Sequence, residues 1–230
     1  MLVAATAAAP QSQLVNVTGT VSLVRDGRAP AGKPDHSNAV IWLKALRGPA
    51  VETQRRPGEK FEIRQFHKQF DPHILVVPAG SVVSFPNLDP FFHNVFSLFD
   101  GKRFDLGLYE AGGSRSVTLD RAGVCYIFCN IHPEMSAAVV VMDTPYYAIS
   151  NRQGEFAIQN VPAGRYQVSV WHERAKPAAG SEFPREVSVS PENAVLARIR
   201  LLDSGELSVP HKNKYGRDYD APAPKGLVYK

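Results

Sequence analysis

The chain has 230 residues, which is enough for one large domain or two ordinary ones. A hydrophobic content of 44% and a charged content of 21% are typical of a globular protein with a real core, and no apolar run is long enough to span a bilayer. The net charge is +4, but Lys and Arg are scattered and form no basic stripe with interleaved aromatic residues, which argues against nucleic acid as a partner.

The first fourteen residues, 1–14, differ in composition from the rest of the chain. They open with MLVAATAAAPQ, which is small, apolar and Ala-rich and looks like the end of a secretory signal, although it lacks a basic start and a full apolar stretch. We therefore expect a periplasmic or otherwise exported protein. The alternative is a disordered N-terminus.

The remaining sequence predicts an all-β protein. Short runs rich in Val, Ile, Phe, Tyr and Thr are separated by turn residues, and no stretch keeps a helical period over three turns. Residues 105–112 are predicted to hold a short helical turn at most. One or two β-sandwiches are the architecture that this pattern favours. The clearest predicted strands are Val15–Val24, Ala39–Leu46, His73–Phe85, Ser116–Cys129, Ala137–Met142 and Tyr166–Trp171.

Two stretches resemble linkers and divide the chain. Residues 47–60 are rich in Pro, Gly, Arg and Glu, and Asp143-Thr144-Pro145 directly follows a predicted strand. These stretches isolate a block of residues 58–143. The tail, 204–230, is polar and contains Pro, and we expect it to lie over the surface or to be disordered.

Soft metal-binding side chains cluster near the end of this block. Residues 129–135 read CNIHPEM and place a thiolate, an imidazole and a thioether on one short loop, and a second imidazole, His93, lies in the polar stretch Asn87–Val95. Two His and one Cys with a weak axial Met is the ligand set of blue-copper sites. Zinc is the main alternative metal, but Met is a poor zinc ligand and no second Cys pair exists. The other alternative is that all four side chains are structural.

The two cysteines, Cys125 and Cys129, lie on one predicted strand. Four strand residues span about 13 Å, whereas disulfide-bonded Cα atoms are about 6 Å apart, so an extended segment excludes a disulfide. Alternation from Gly123 to Cys129 places both cysteines on the inward face with Ile127. Cys125 is therefore predicted to be a core thiol.

The block 58–143 resembles the cupredoxins, especially amicyanin and plastocyanin. This resemblance implies a Greek-key β-sandwich that binds one copper ion alternating between Cu(I) and Cu(II). The stretches that carry it are Phe70-Asp71-Pro72, Ile74–Gly80, Val83–Asn87, His93-Asn94-Val95 and the loop Cys129–Met135.

The same resemblance implies a role for each residue of the site. His93 and His132 would be the imidazole ligands, Cys129 the thiolate and Met135 the axial thioether. Around these ligands, Asn94 would connect the two ligand loops and support the thiolate. Asn130 occupies a position where family members often carry Ser or Thr, and Pro133 directly follows His132.

Outside the block, residues 151–166 read as a turn, a strand, a Pro-Ala-Gly turn and another strand. This pattern resembles a second kind of β-sandwich, the carboxypeptidase regulatory-like or transthyretin-like domain, which is Ig-like. The G-x-V strand that begins such domains is here at Gly19-Thr20-Val21. We therefore expect the copper block to be inserted in a sandwich of residues 15–50 and 144–203. The alternative is that 15–50 add strands to the copper block. The layout is similar to that of bacterial plastocyanin-domain proteins of the methylamine-utilisation type.

These resemblances imply an electron carrier rather than an enzyme. It would pass single electrons between redox partner proteins through His132, beside the apolar residues Phe91, Phe92 and Pro133. The seven His include no His-x-His pair, which argues against a multicopper oxidase. Copper storage or delivery is one alternative, although only three Met are present. A non-redox β-sandwich interaction module is the other.

Overall fold

The regular structure of this computed structural model consists of β-strands only, as predicted, within residues 13–25, 34–47, 58–98, 102–205 and 212–219, which are the residues the structure describes. No helix among them could cross a membrane. Most of the predicted signal remnant, most of the linker 47–60 and the end of the tail lie outside the described residues. The strands are β1 (Leu14–Val24), β2 (Val40–Ala45), β3 (Phe61–Glu62), β4 (Arg64–Phe66), β5 (Gln69–Asp71), β6 (Ile74–Pro78), β7 (Ser81–Pro86), β8 (His93–Ser97), β9 (Phe104–Tyr109), β10 (Ser114–Leu119), β11 (Gly123–Phe128), β12 (Ser136–Met142), β13 (Tyr147–Ile149), β14 (Glu155–Pro162), β15 (Gly164–Trp171), β16 (Ala175–Pro177), β17 (Arg185–Val189) and β18 (Ile199–Asp203).

The described residues form two compact units. The first unit contains 13–25, 34–47 and 146–205, and the second contains 58–98, 102–145 and 212–219. The second unit therefore includes a segment from the C-terminal tail as well as the block between the two predicted linkers.

The first unit contains two four-stranded sheets, in the orders β14-β1-β18-β16 and β13-β2-β15-β17. Apolar residues of both sheets, such as Val17, Ile41 and Val168, belong to one buried cluster. Strand β1 pairs with β14 and β18, and β2 pairs with β13 and β15. All of these partner strands follow residue 145.

The second unit contains a five-stranded sheet, β6-β12-β11-β8-β9, a three-stranded sheet, β10-β7-β3, and the hairpin β4-β5. Strand β12 is buried on both faces, which explains its nearly continuous apolar sequence. The apolar run His73–Phe85, predicted as one strand, is instead two strands, β6 and β7. Gly80 makes the turn between them with a φ of 84°, a backbone conformation that glycine adopts without steric cost.

Residues 104–109 form the edge strand β9, so most of the segment 105–112, for which the sequence allowed a short helical turn at most, is extended. β9 is antiparallel to β8, and its backbone groups pair across the sheet instead of within a turn. The register of this pair shifts between Asn94 and Phe96. Gly107, opposite this irregularity, has a φ of 74°, which suits a bulge.

The sheet order brings two loops to the same end of the second unit. β8 and β11 are antiparallel neighbours, with Phe96 opposite Phe128. The start of β8, at His93, therefore lies beside the end of β11, where Cys129 follows. Residues 129–135 connect β11 to the next strand of the sheet, β12.

Candidate metal centre

Three side chains from these two loops form a small triangle of possible ligand atoms. The two Nδ1 atoms of His93 and His132 are 3.1 Å apart, and Sγ of Cys129 lies 3.8 Å from the first and 3.6 Å from the second. A first-row metal ion bound at about 2.0–2.1 Å by nitrogen and about 2.3 Å by sulfur spaces its ligand atoms about 3 to 4 Å apart. The spacing of the three atoms therefore fits a single metal ion.

The loop 129–135 is closed by its own backbone. The amide of Cys129 donates to the carbonyl of Met135 at 3.3 Å, and the amide of Met135 donates to the carbonyl of His132 at 3.0 Å. Met135 is buried in the same apolar cluster as Cys129. These backbone bonds hold the three loop residues with soft side chains close together.

The protonation of the site follows from its burial. Burial raises the pKa of the Cys129 thiol, and hydrogen bonds from the backbone amides of Asn94, Ile131 and His132 to the sulfur act in the opposite direction. Burial, the largest influence, lowers the pKa of His132, and the positive charge of Lys68 acts in the same direction. A metal cation would therefore displace the thiol proton, while the imidazole of His132 is already neutral.

A buried carboxylate that the sequence reasoning missed, Asp89, orients His93. The Nε2 atom of His93 donates to Oδ2 of Asp89 at 2.8 Å, and neither side chain is more than 4% exposed. This bond puts the proton on Nε2 and leaves the Nδ1 lone pair directed into the triangle. A carboxylate behind a ligating imidazole also makes the imidazole a stronger donor.

The loop containing His67 and Lys68 holds Asp89 in its charged form. Their backbone amides donate to the carboxylate at 2.7 and 2.9 Å. Burial, the largest influence, acts to raise the pKa of Asp89, but these bonds and the bond from His93 outweigh it and lower the pKa. Both donors have positive φ values, 54° and 56°, which turn their amides towards the carboxylate.

The residues predicted to support the ligands lie around the triangle. The amide Nδ2 of Asn94 donates to Oδ1 of Asp105 and to the carbonyl of Gly107, at 2.7 and 2.9 Å, so its side chain is bonded to β9. Its backbone amide, instead of its side chain, reaches the sulfur of Cys129. Asn130 accepts a hydrogen bond from the amide of Lys214 at 2.9 Å, and Pro133 is exposed.

The second cysteine lies apart from the triangle. Cys125 is buried in the core, and its thiol donates to Oγ of Ser97 at 3.4 Å. Both cysteines are free, which confirms that no disulfide joins them. The structure gives Cys125 the surroundings of a core thiol.

An aromatic surface borders the more exposed imidazole. The ring centroid of Phe91 lies 5.2 Å from that of His93 and 5.8 Å from that of His132. Phe91, Phe92 and Ile131 are each at least 36% exposed, and His132 is partly exposed. The site therefore lies close to the protein surface at His132, next to exposed apolar side chains.

Comparison with known proteins gives structural similarities to part of the chain. No protein-family model and no curated protein match it. One similar structure is a purple cupredoxin from Nitrosopumilus maritimus, with 23% identity and a TM-score of 0.33 over 36% of this chain and all of that one. Amicyanin from Paracoccus versutus has 19% identity and a TM-score of 0.35 over 44% of this chain and 97% of that one. A copper-containing nitrite reductase from Thermus scotoductus SA-01 has 21% identity and a TM-score of 0.36 over 42% of this chain, but only 25% of that one.

Proposed function

We propose that this protein is a type 1 copper protein that carries single electrons between redox partners. Its ligands would be His93, Cys129, His132 and Met135. The observation that carries the proposal is the triangle formed by Sγ of Cys129 and the two Nδ1 atoms, with sides of 3.1, 3.6 and 3.8 Å.

The donor set favours copper over zinc. Structural zinc sites are usually completed by four Cys and His ligands, whereas here the fourth soft side chain, Met135, is a thioether on the same loop. Two imidazoles, one thiolate and a weak thioether suit an ion that alternates between softer and harder oxidation states. Copper, when bound, would supply a Cu(I)/Cu(II) couple that gains or loses one electron.

The residues of the chain would keep the site unchanged during electron transfer. Asp89 fixes the ring of His93 from behind, backbone amides hold the sulfur of Cys129, and the Met135 backbone closes the loop. Because these contacts fix the side chains that would bind the metal, little rearrangement would accompany a change of charge. Burial of Cys129 and His93 also keeps water away from the site.

The electron would enter and leave through His132, the partly exposed member of the triangle. The exposed ring of Phe91 lies beside it and, with the exposed residues Phe92 and Pro133, would form a docking surface. A carrier must release its partner quickly, so the expected interface is small. The net charge of +4 favours partners that are acidic.

We further propose that the second unit is a cupredoxin domain inserted in a transthyretin-like sandwich. The pairing of β1 and β2 with strands that follow residue 145 supports this arrangement. The protein would be exported, would act on no substrate of its own and would be similar to plastocyanin-domain proteins of the methylamine-utilisation type.

Absorption spectroscopy of a copper titration tests the proposed function. Cu(II) added to the purified protein should produce an intense visible thiolate-to-copper band that saturates at one equivalent. Cys129→Ser should abolish the band, whereas the control Cys125→Ser should keep it, because Cys125 is buried away from the triangle. A wild-type protein that takes up only Cu(I) without colour would indicate storage or delivery, and one that takes up neither ion would indicate an interaction module.

A further inference from the structure

A C-terminal segment, residues 212–219, forms hydrogen bonds with the ligand loop, residues 129–135. The hydroxyl of Tyr219 donates to the backbone carbonyl of Cys129 at 2.9 Å. The backbone amide of Lys214 donates to Oδ1 of Asn130, also at 2.9 Å. The segment therefore bonds the backbone carbonyl of Cys129 and the side chain of the next residue, Asn130.

The side chain of Lys214 makes a third contact, with the strand on the other side of the site. Its Nζ lies 2.8 Å from Oδ2 of Asp105 on β9. The other carboxylate oxygen of Asp105 accepts from Nδ2 of Asn94. Asn94 is the residue whose backbone amide reaches the Cys129 sulfur, so this ion pair also supports a residue that contacts the sulfur.

The segment is folded on itself as well as bonded to the loop. Oδ1 of Asn213 accepts hydrogen bonds from the amides of Tyr215 and Arg217, and the amide of Asn213 donates to the carbonyl of Arg217. A segment with this much internal bonding can restrain another loop, because its own conformation is fixed.

We propose that Tyr219 and Lys214 are positioning residues of the metal centre. From segment 212–219 they fix the Cys129–Asn130 peptide, and thereby the direction in which the Cys129 side chain presents its sulfur. This proposal rests on the proposed metal site. The proposal adds to that site a segment of the chain that lies more than eighty residues after the loop 129–135.

Tyr219→Phe in the full-length protein tests the first contact, because it removes the hydroxyl and keeps the ring. The matched control is Tyr166→Phe in the first unit, which also removes a hydroxyl that donates to a backbone carbonyl, that of Pro162 at 2.8 Å. The first measurement is amide hydrogen exchange of Cys129 and Met135 in the metal-free protein.

Exchange at these two amides should be about three- to tenfold faster in Tyr219→Phe, as expected from the loss of one net hydrogen bond. The control should exchange at the wild-type rate. The second measurement is the rate at which a chelator removes copper, which should rise by a similar factor. Lys214→Met, compared with Lys212→Met, provides an independent pair, since the ammonium of Lys212 lies 3.9 Å from Asp218 of the same segment.

Two results would overturn the proposal: unchanged exchange in both Tyr219→Phe and Lys214→Met, or equal acceleration by the test variants and their controls. If Tyr219→Phe does not fold, the comparison of Lys214→Met with Lys212→Met tests the proposal instead. A wild-type protein without a copper band would instead refute the proposed function. The exchange measurement needs no metal and would still show whether the segment restrains the loop.

Discussion

Replacement of Asp89 by Asn should raise the reduction potential of the proposed copper site. The substitution keeps the shape of the side chain but removes its negative charge, and the lowered pKa of Asp89 means that this charge is present at neutral pH. A negative charge behind His93 stabilises the more positive oxidation state. Its removal should therefore favour Cu(I) over Cu(II).

The size of the effect follows from the position of the carboxylate. Oδ2 of Asp89 is 2.8 Å from Nε2 of His93, and the ring separates this atom from Nδ1. A unit charge about 6 to 7 Å away at an effective dielectric constant of about 20 contributes about 2.5 kcal/mol. For one electron this energy corresponds to about 100 mV. Copper affinity should also fall by about 10- to 100-fold, as is usual when a carboxylate behind a ligating His is lost.

Protein-film voltammetry gives the potential, and chelator competition gives the affinity. Asp120→Asn is the control, since Asp120 is an exposed carboxylate paired with Lys102, and its loss should move the potential far less. Circular dichroism shows whether Asp89→Asn keeps its strands. A potential that stays at the wild-type value, or falls, in a folded Asp89→Asn variant would refute the reasoning that an ionised Asp89 acts on the site through His93.

Three further substitutions test other parts of the account. Met135→Leu should cost less than about 1.5 kcal/mol of folding free energy, because the side-chain volume is conserved. Voltammetry of this variant should show a higher reduction potential, because a thioether donor is lost. A lower reduction potential would contradict an axial role of Met135. Cys125→Ala should keep the copper band while urea unfolding shows a loss of about 1 kcal/mol from the core; disappearance of the band would mean that this thiol is a ligand. Burial lowers the pKa of His172, with the charge of Arg174 acting in the same direction, so the unfolded chain binds this proton more readily and stability should fall as the pH drops from about 7.5 to about 5.5. His172→Gln should show a smaller fall in its urea midpoint over that range, and an equal fall would exclude His172 as a source of the pH dependence.

Local patterns in the sequence were sufficient to predict many strands and the loop that contains residues 129–135. In β11 the alternating residues Cys125 and Ile127 are buried as expected, because side chains of a strand point to opposite faces in turn. The spacing of residues 129–135 placed three soft side chains on one loop. His93 joined them because its strand, β8, is the antiparallel neighbour of β11.

The remaining features depend on contacts between distant residues. β9 is an edge strand because β8 offers it a partner, and nothing within residues 105–112 shows this pairing. Asp89 was visible four residues before His93, but its inward position depends on amides of His67 and Lys68 in left-handed conformations. The polar composition of the tail gave no signal that segment 212–219 returns to the ligand loop.

The central claim is that one copper ion binds the sulfur of Cys129 and the two imidazoles. X-ray absorption at the copper edge measures the ligand atoms directly. The account predicts two nitrogens at about 2.0 Å and one sulfur at about 2.3 Å, with the sulfur contribution lost in Cys129→Ser. A first coordination shell of nitrogen and oxygen alone in the wild-type protein would contradict it.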